Sequence, residues 1–498
     1  MSGLIAGVAA ALEPTNLLLC VLGAVAGTIV GVLPGIGPAA TVALLLPATF
    51  AMPPAGALIM LAAIYYGAQY GSSTAAILLN LPGEASGVVT AIDGHRMALA
   101  GRAGPAIGIA ALASLVAGLS TAVLIALAAP ALAAWSLLVS PAGLVGLMAL
   151  GLAAAALVSP GPALPALALI LAGGCLGLVG TDAAGGRPRF TLGIPELMDG
   201  IGFVPVAVGI FGVAELIRAL ETGGRPDRVA PVGSPWPASA DGAAGTLPAV
   251  RGTVVGGVLG LLPGGTTVLA SLAARGVERL FPPRGTPLGQ GAVAGVAAPE
   301  AATHAAAQTS LVPLLALGLP ATPVMAVLAG AFMIQGIPPG PGLFATRPDV
   351  VGALVGSLVV GNLVLVLLNL PLAGVWAALL RIPFRFLVPP ILVVGAVGVF
   401  GVQNSVFDVW LMLAFGLVGW GLRRAGLEPT PLVLGFVLGP GLEEHLRRTL
   451  LLSRGDPWAL VADPVGGACA LLLVGLVGWR MVRAVLRRSR QRRDLVDQ

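Results

Sequence analysis

The stretch LLLCVLGAVAGTIVGVLPGIGP, residues 17–38, contains no charged side chain and ends with a Pro-Gly break. It belongs to a run free of Asp, Glu, Lys and Arg that covers residues 14–83, and two further runs cover residues 103–181 and 301–346. A helix that spans a bilayer needs about 20 consecutive apolar residues. Each run is therefore long enough for more than one span, and we expect the bilayer to be the solvent of this chain.

The composition of the whole chain indicates the same fold class. Of the 498 residues, 57% are hydrophobic and only 9% are charged, and the mean hydropathy is +0.99. A soluble domain carries roughly 25% charged residues. The apolar runs lack the alternating polarity of membrane barrel strands, and helices are the other structure that pairs its backbone groups in lipid. We therefore predict an all-α polytopic membrane protein with roughly ten to twelve transmembrane segments.

The charged residues indicate how the chain lies in the membrane. All basic side chains are arginines, the net charge is +5, and seven arginines follow the last apolar segment, between residues 480 and 493. The positive-inside rule predicts a cytoplasmic tail, and contact with anionic lipid would place it on the same side. The N-terminus lacks the basic region of a removable signal peptide. We expect a multi-pass protein of the bacterial inner (plasma) membrane, with a cytoplasmic C-terminus and no nucleic-acid partner.

The most polar interior stretch divides the chain into two groups of apolar runs. Residues 221–248 are rich in Gly, Pro, Ser and Asp, which is typical of a linker. Cys20, Cys175 and Cys469 are far apart in apolar segments, without the spacing of a metal site or a disulfide framework. The predicted units are a first membrane repeat (1–222), a polar linker (223–247), a second membrane repeat (248–400), C-terminal membrane segments (401–479) and a basic cytoplasmic tail (480–498).

Two sequence patterns occur once in each half and in the same order. GVLPGIGP at residues 31–38 has a counterpart in GLLPGGTT at residues 260–267, and ILLNLPGEASG at 77–87 has one in LLALGLPATP at 314–323. Paired helix breaks in two halves are typical of transporters built from repeats. Arginines precede the second copy but not the first, so the positive-inside rule favours two inverted repeats with Pro-Gly-broken helices.

These breaks are the first candidates for a binding site. Proline removes a backbone donor and glycine lets the chain turn, and the freed peptide groups are tolerated at membrane depth only where protein or a cavity satisfies them. The helix that follows a break presents free N–H groups, which suit an anion. A kink or close helix packing is the alternative explanation. The candidate substrate-binding residues are Pro34, Gly35, Gly37, Tyr70, Ser72, Ser73, Asn80, Pro82, Gly83, Ser86, Pro263, Gly264, Gly265, Thr266, Pro320 and Thr322.

The segment YYGAQYGSST, residues 65–74, is the densest polar patch of the first run and contains all three tyrosines of the chain. Its hydroxyl groups could line a polar path. Alternatively, they could form an interfacial aromatic belt or hydrogen bonds between helices. The sequence leaves both interpretations open.

The segment PEAATH, residues 299–304, opens the charge-free run of the second half. Glu300 and His304 are spaced i,i+4 and would share one helix face, where they could bind a coupling cation or proton, or hold the substrate. A structural hydrogen-bonded pair is the alternative, and the spacing is not that of a zinc-binding HExxH motif. The cation-coupling candidates are Glu300, Thr303 and His304. We interpret His95 and His445, which stand beside charged residues, as loop residues.

Taken together, several motifs resemble those of TctA, the large membrane subunit of tripartite tricarboxylate transporters. They are GVLPGIGP, YYGAQYGSSTAAILLNLPGEASGVVTAIDGHRMA, RFTLGIPELMDGIGFVPVAVGIFGVAEL, GLLPGG, GVAAPEAATHAA, LVPLLALGLPATPVMAVLAGAF, QGIPPGPGLF and VLGPGLEEHLRRTLLLSRGD. The resemblance implies a small four-helix membrane subunit (TctB-like) and a periplasmic solute-binding protein (TctC-like) as partners. It also implies uptake of di- and tricarboxylates, driven by sodium or protons, without another cofactor.

The chain departs from the family pattern at several positions. Thr303 and His304 stand where two Asn are usual, and Gly71-Ser72-Ser73 stands where Gly-Gly-Ser is usual. Ala321 stands where a glycine is usual, and Glu84 stands where a neutral residue is usual. An acid at the first break could alter the charge preference of the site. These departures bear on the substrate and the coupling ion, and they leave the expected fold unchanged.

The chain is predicted to be a cation-coupled secondary transporter for small organic anions and not an enzyme. It would work by alternating access around a site between the two repeats. Each negative charge that moves inward costs about 2.3 kcal/mol per 100 mV, so uptake needs co-transported cations. Because the Pro-Gly regions contain no arginine, we expect backbone amides, hydroxyls and the coupling cation to neutralise the substrate. The alternatives are a passive channel and a membrane-embedded lipid-processing enzyme, for which Glu443, Glu444 and His445 are the nearest candidate cluster.

Overall fold

The computed structural model describes residues 2–33, 36–136, 138–158, 162–182, 185–222, 231–262, 266–281, 285–380 and 384–475. Most of these residues are helical, so the prediction of an all-α protein is confirmed. Two breaks, at residues 34–35 and 263–265, and the basic tail lie outside the described residues.

The helices are, in chain order, α1 (Ser2–Ala11), α2 (Pro14–Val32), α3 (Pro38–Leu45), α4 (Pro54–Leu79), α5 (Gly87–Met97), α6 (Ala103–Ser136), α7 (Pro141–Val158), α8 (Ala163–Gly177), α9 (Phe203–Ala207), α10 (Ala214–Thr222), α11 (Ser239–Gly260), α12 (Thr267–Leu280), α13 (Ala294–Thr309), α14 (Leu311–Leu317), α15 (Pro323–Ile334), α16 (Leu343–Thr346), α17 (Pro348–Asn369), α18 (Ala373–Leu379), α19 (Phe384–Gln403), α20 (Val406–Arg424), α21 (Thr430–Leu452) and α22 (Ala459–Ala462). Short 3₁₀ helices cover Leu46–Thr49 and Pro195–Leu197, and π-helical turns cover Ala98–Arg102 and Val208–Val213. An antiparallel hairpin pairs β1 (Gly180–Thr181) with β2 (Pro188–Arg189).

Five helical stretches of the described chain are long and apolar enough to cross a membrane. They are Pro14–Val32, Gly87–Ala128, Phe203–Glu221, Pro348–Asn369 and Val406–Arg424. Six shorter apolar helices of 10–17 residues accompany them. The chain is therefore a multi-pass membrane protein, whereas the total of ten to twelve spans stays a prediction.

Two helix pairs pack so closely that only glycine fits at the contact. A Cβ atom on Gly27 of α2 would lie 2.2 Å from the carbonyl oxygen of Ile64 in α4, and one on Gly256 of α11 would lie 2.1 Å from that of Ala302 in α13. Small residues allow such backbone contacts between membrane helices. The closely packed glycines of α2 are Gly23, Gly27 and Gly31, which face Met60, Ile64 and Ala68; those of α11 are Gly252, Gly256 and Gly260, which face Ala298, Ala302 and Ala306.

The two halves of the chain interlock. Helix α5, from the first half, packs against α12 and α13 of the second, while α15, from the second half, packs against α3 and α4. Asp93 of α5 fixes the first of these contacts, because it is fully buried and accepts a hydrogen bond from Arg275 of α12 at 2.5 Å. Its other oxygen accepts bonds from the backbone N–H groups of Gly289, Gly291 and Ala292 at 2.7–3.0 Å.

The assignment of His95 and His445 to loops is wrong. His95 lies in α5, with its Nδ1 atom 3.0 Å from the carbonyl oxygen of Ile77, and His445 lies in α21. The charged residues beside His95 continue the helix because one of them, Asp93, finds buried partners.

Of the predicted polar linker (223–247), residues 223–230 lie outside the described residues, and residues 231–247 pack against helices of the chain. From Ser239 onward it is the first part of α11. The residues before that helix lie against α6, where a Cβ on Gly104 would be 2.2 Å from the carbonyl oxygen of Ser234. Asp241 adds an ion pair with Arg102 at 2.7 Å. Tertiary packing therefore overrides the local turn composition.

Candidate functional site

The helix breaks of the two halves meet at one cavity of about 430 Å³. It is lined by the start of α3, the loop between α4 and α5, the start of α12 and the start of α15. Side chains of α10, of α20 and of the loop that precedes α21 complete the wall. This volume lies within the usual range for small-molecule sites, about 300–1,000 Å³.

Three helices begin at the cavity, and the first N–H groups of a helix have no partner within it. Gly37 precedes α3 with an extended backbone and no side chain to cap the helix. Thr266 caps α12 by accepting a bond from the N–H of Leu269, and Thr322 caps α15 in the same way through Met325, both at 3.2 Å. The first turn of α3 is therefore the most open of the three to an anion.

The structure places some of the predicted substrate residues at the cavity and others behind it. The lining includes Gly37, Gly83, Thr266 and Thr322. Gly37 also approaches Gly83, because a Cβ on Gly37 would lie 2.9 Å from the Gly83 carbonyl oxygen. The residues behind or beside the lining are Ser72, Asn80, Pro82, Ser86 and Pro320, and those outside the described residues are Pro34, Gly35, Pro263, Gly264 and Gly265.

Two of the residues behind the lining determine the backbone path at the Pro82-Gly83 break. Asn80 ends α4 in the left-handed region with φ 56°, which turns the chain toward the cavity. Ser72, a buried residue of α4, accepts a hydrogen bond from the backbone N–H of Glu84 at 3.1 Å. The loop is therefore held by side-chain contacts where regular helix pairing stops.

Charged side chains of the cavity come from parts of the chain that sequence reasoning did not connect with it. Glu215 and Arg218 of α10 line the cavity together with Arg423 of α20 and Glu428. Glu215 pairs with Arg423 and, at 3.5 Å, with Arg218. The Pro-Gly segments contain no arginine, but packing brings two arginines of other helices to the same cavity.

Tyr70 and Ser73 belong to a second polar cluster, around Glu300 of α13. The carboxylate of Glu300 accepts hydrogen bonds from Ser73 at 2.8 Å and from Thr90 at 2.6 Å. The Tyr70 ring lies edge-on to that of His304, with ring centroids 4.9 Å apart. An enclosed void of about 10 Å³ beside Glu300 and Asn369 has roughly the size of one water molecule.

His304 extends this cluster toward α6. Its Nδ1 atom lies 2.9 Å from the Ser114 hydroxyl and 3.9 Å from the Glu300 carboxylate. Gln308, one helical turn further on, accepts a bond from Thr121 at 2.7 Å. Within the described residues of α13, three buried atoms have no hydrogen-bond partner, namely Thr303 Oγ1, His304 Nε2 and Gln308 Nε2. Buried polar groups of this kind in a membrane protein commonly mark an ion or proton path.

Glu443, one residue of the cluster considered for the enzyme alternative, is held in ion pairs that join the β-hairpin to α21. Glu443 accepts bonds from Arg189 at 2.9 and 3.0 Å and from Arg447 at 2.7 Å. Asp182 pairs with Arg189 at 2.6 Å. Hydrogen bonds to Glu443 and Asp182 raise the pKa of Arg189 above its usual value. Every charge of this network is used to fasten one surface segment to another.

Comparisons with known proteins agree with this architecture. The model of the tripartite tricarboxylate transporter TctA family matches residues 17–434. A protein of Agrobacterium vitis, described as an uncharacterized 52.8 kDa protein in the TAR-I ttuC′ 3′ region, is 49% identical over 497 residues, which are 100% of this chain and 98% of that protein. A second protein of that organism, from the TAR-II ttuC′ 3′ region, is 48% identical over 241 residues, 48% of this chain and 98% of that protein. No solved structure matches the chain.

The family model covers most of the chain, and the first relative covers all of it. The family consists of membrane transport subunits and is not an enzyme family. With its apolar spans and its helix breaks around one cavity, the chain belongs to the TctA family, as a membrane subunit of a tripartite tricarboxylate transporter.

Proposed function

We propose that this chain is the carrier of a cation-coupled system that takes up small organic anions, di- or tricarboxylates, across the bacterial inner membrane. The observation that carries the proposal is the cavity of about 430 Å³, where helix breaks of both halves meet two arginines. The helix N-termini and the guanidinium groups of Arg218 and Arg423 are donors that suit carboxylates.

The proposal includes two structural repeats, and corresponding positions support it. Asn80 and Gly318 are both left-handed residues that end a helix two positions before a proline, Pro82 or Pro320. The last closely packed glycine of each helix, Gly31 in α2 and Gly260 in α11, lies three positions before a Pro-Gly sequence. Alternating access would then arise from movement of one repeat against the other around the shared cavity.

Coupling to a cation follows from the charge of the substrate. A divalent carboxylate that enters a cell with a negative interior opposes about 4.6 kcal/mol per 100 mV, since each charge contributes about 2.3 kcal/mol. We assign cation or proton coupling to the cluster of Glu300, Thr303 and His304, because its buried atoms lack partners and a water-sized void adjoins it. The coupling ion is sodium or a proton.

The partners follow from the family. A periplasmic solute-binding protein (TctC-like) would deliver the acid to the outer face, and a small four-helix subunit (TctB-like) would complete the membrane complex. With the basic tail in the cytoplasm, uptake runs from the binding protein through the cavity to the side of the tail.

The test is uptake by the reconstituted three-component system in proteoliposomes. Vesicles with an imposed sodium or pH gradient are offered ¹⁴C-labelled citrate, succinate and malate. We expect at least one acid to accumulate above its external concentration, and Gly37→Val to abolish this because its side chain would press on the Gly83 carbonyl. The control is Gly276→Val, at a glycine of α12 with open space around it. Equilibration without accumulation would favour the passive channel, and no flux of any acid would refute the proposal.

A further inference from the structure

We propose that Glu84 takes up one proton with each substrate molecule that binds in the main cavity, in addition to the coupling ion assigned above to the cluster of Glu300, Thr303 and His304. This inference rests on the proposed carrier function. Glu84 lies in the loop between α4 and α5 and is half-buried at the cavity wall. Its carboxylate accepts a hydrogen bond from Thr267, the first residue of α12. A residue next to the Pro82-Gly83 break of the first half thus contacts the start of α12, the helix that follows residues 263–265 of the second half.

Glu84 lies beside the start of α12, where a substrate carboxylate is expected to bind. The partial positive charge at the start of α12 attracts anions, and Glu84 already supplies one there. A substrate anion that enters the cavity therefore meets a resident carboxylate, and two carboxylates in one site cannot both remain ionised without a cation between them.

The other charges of the cavity do not compensate for Glu84. Among the residues that the structure describes, the lining contains two arginines, Arg218 and Arg423, and three glutamates, Glu84, Glu215 and Glu428. Glu215 is paired with both arginines. With all of these groups ionised, the described lining has one excess negative charge, and one proton on Glu84 makes it neutral.

The remaining titratable neighbours leave Glu84 as the group that faces the substrate. Tyr65 of α4 lines the same cavity. Glu300 of α13 interacts electrostatically with Glu84, but it is 2% exposed and its oxygens are bound to Ser73 and Thr90. Glu428 accepts a bond from Thr430 at 2.8 Å. Asp93 is fully buried beside Arg275.

The step consists of one proton transfer. A proton from the outer solution adds to a carboxylate oxygen of Glu84, and the new O–H group donates a hydrogen bond to the bound acid. After the carrier has reoriented, the acid leaves, the O–H bond breaks, and the proton passes to the cytoplasm. The affinity for the acid then falls as the pH rises through the pKa that Glu84 has in the complex.

The decisive variant is Glu84→Gln, which mimics the protonated carboxyl group permanently. It is measured in the reconstituted system with the labelled acid of the citrate, succinate and malate panel that the wild type accumulates. We expect exchange of internal for external acid to stay within about threefold of the wild type, whereas accumulation driven by a pH gradient falls at least tenfold. Glu196→Gln, which removes an exposed carboxylate outside the cavity, should leave both activities unchanged.

Three results would overturn the inference. The first is a Glu84→Gln carrier that responds to the pH gradient as strongly as the wild type. The second is a wild type driven by sodium alone, which would leave the carrier function standing. The third is equal loss of exchange and accumulation in Glu84→Gln and in Glu84→Asp, which would indicate a structural role. If none of the acids accumulates in the wild type, the proposed function fails instead.

If the Glu84→Gln variant folds but no longer exchanges internal for external acid, the inference is tested by counting the protons taken up when the acid binds. The purified complex is mixed with the same acid in unbuffered detergent solution that contains a pH dye. We expect the wild type to take up about one proton for each bound acid and Glu84→Gln to take up none. Equal uptake by both proteins would overturn the inference.

Discussion

The buried ion pair of Asp93 and Arg275 offers the sharpest test of how the two halves are joined. Asp93 is fully buried and Arg275 is 9% exposed, and the carboxylate also holds the N–H groups of Gly289, Gly291 and Ala292. Asp93→Ala therefore strands a buried guanidinium group, at about 3–5 kcal/mol. The three backbone donors lose their acceptor, at about 1–3 kcal/mol for each that water does not reach.

The expected loss is roughly 5 kcal/mol or more, which equals the entire stability of many domains. Asp93→Asn should be less severe, because its amide oxygen can still accept bonds from the N–H groups. The assay is size-exclusion chromatography of the detergent-purified protein after heating, which gives an apparent melting temperature. We expect the order wild type, Asp93→Asn, Asp93→Ala, from most to least stable.

The matched control is Asp349→Ala. Asp349 also pairs with an arginine, Arg347 at 3.1 Å, but both side chains are solvent-exposed, and exposed pairs contribute little to stability. We expect its melting temperature to stay close to that of the wild type. If the melting temperatures of Asp93→Ala and Asp349→Ala were both close to that of the wild type, the proposed role of the Asp93–Arg275 ion pair in joining the two halves would be refuted.

The remaining predictions concern the cavity, the coupling cluster and the helix packing. Arg423→Gln should lower uptake at least tenfold, mainly through a higher KM, because it removes a charge-assisted donor from the cavity; an unchanged KM in initial-rate uptake would contradict this. Thr90→Val and Ser73→Ala each remove one donor to Glu300 and should each change the apparent affinity for the coupling cation about tenfold, seen as a shift in the cation dependence of uptake. Thr246→Val, whose hydroxyl bonds its own exposed helix, is the control, and equal cation curves for all three variants would refute the assignment. Gly256→Leu should prevent folded protein from accumulating because of the contact with Ala302, while Gly257→Leu, with open space around it, should not; chromatography of detergent extracts decides between these outcomes.

The sequence predicts the fold class because the charge-free runs leave helices as the only structure compatible with lipid. Four of the candidate residues, Gly37, Gly83, Thr266 and Thr322, line one cavity, whereas their part in substrate binding stays a prediction. Gly37, Gly83 and Thr322 stand beside prolines in charge-free runs, and Thr266 directly follows the Pro-Gly-Gly sequence of residues 263–265. These features are local. The signal can therefore be read without any knowledge of packing.

The rest of the site depends on contacts between distant segments. Arg218 and Arg423 look like ordinary helix-end arginines, and only the packing of α10 and α20 brings them to the breaks. Tyr70 and Ser73 stand out as polar residues, but the direction in which they point is set by how α4 faces α13. Glu84 is visible as a departure from the family pattern, whereas its contact with Thr267 exists only in the folded chain.

The central claim is that the helix breaks of both halves form one substrate site. A cryo-EM map of the complete transporter with a transported acid tests it most directly. We predict density for the acid between the first turns of α3 and α12, within reach of Gly37, Thr266 and Arg423. Continuous, tightly packed helices in place of the breaks, or density for the acid at a place remote from both of them, would contradict the claim.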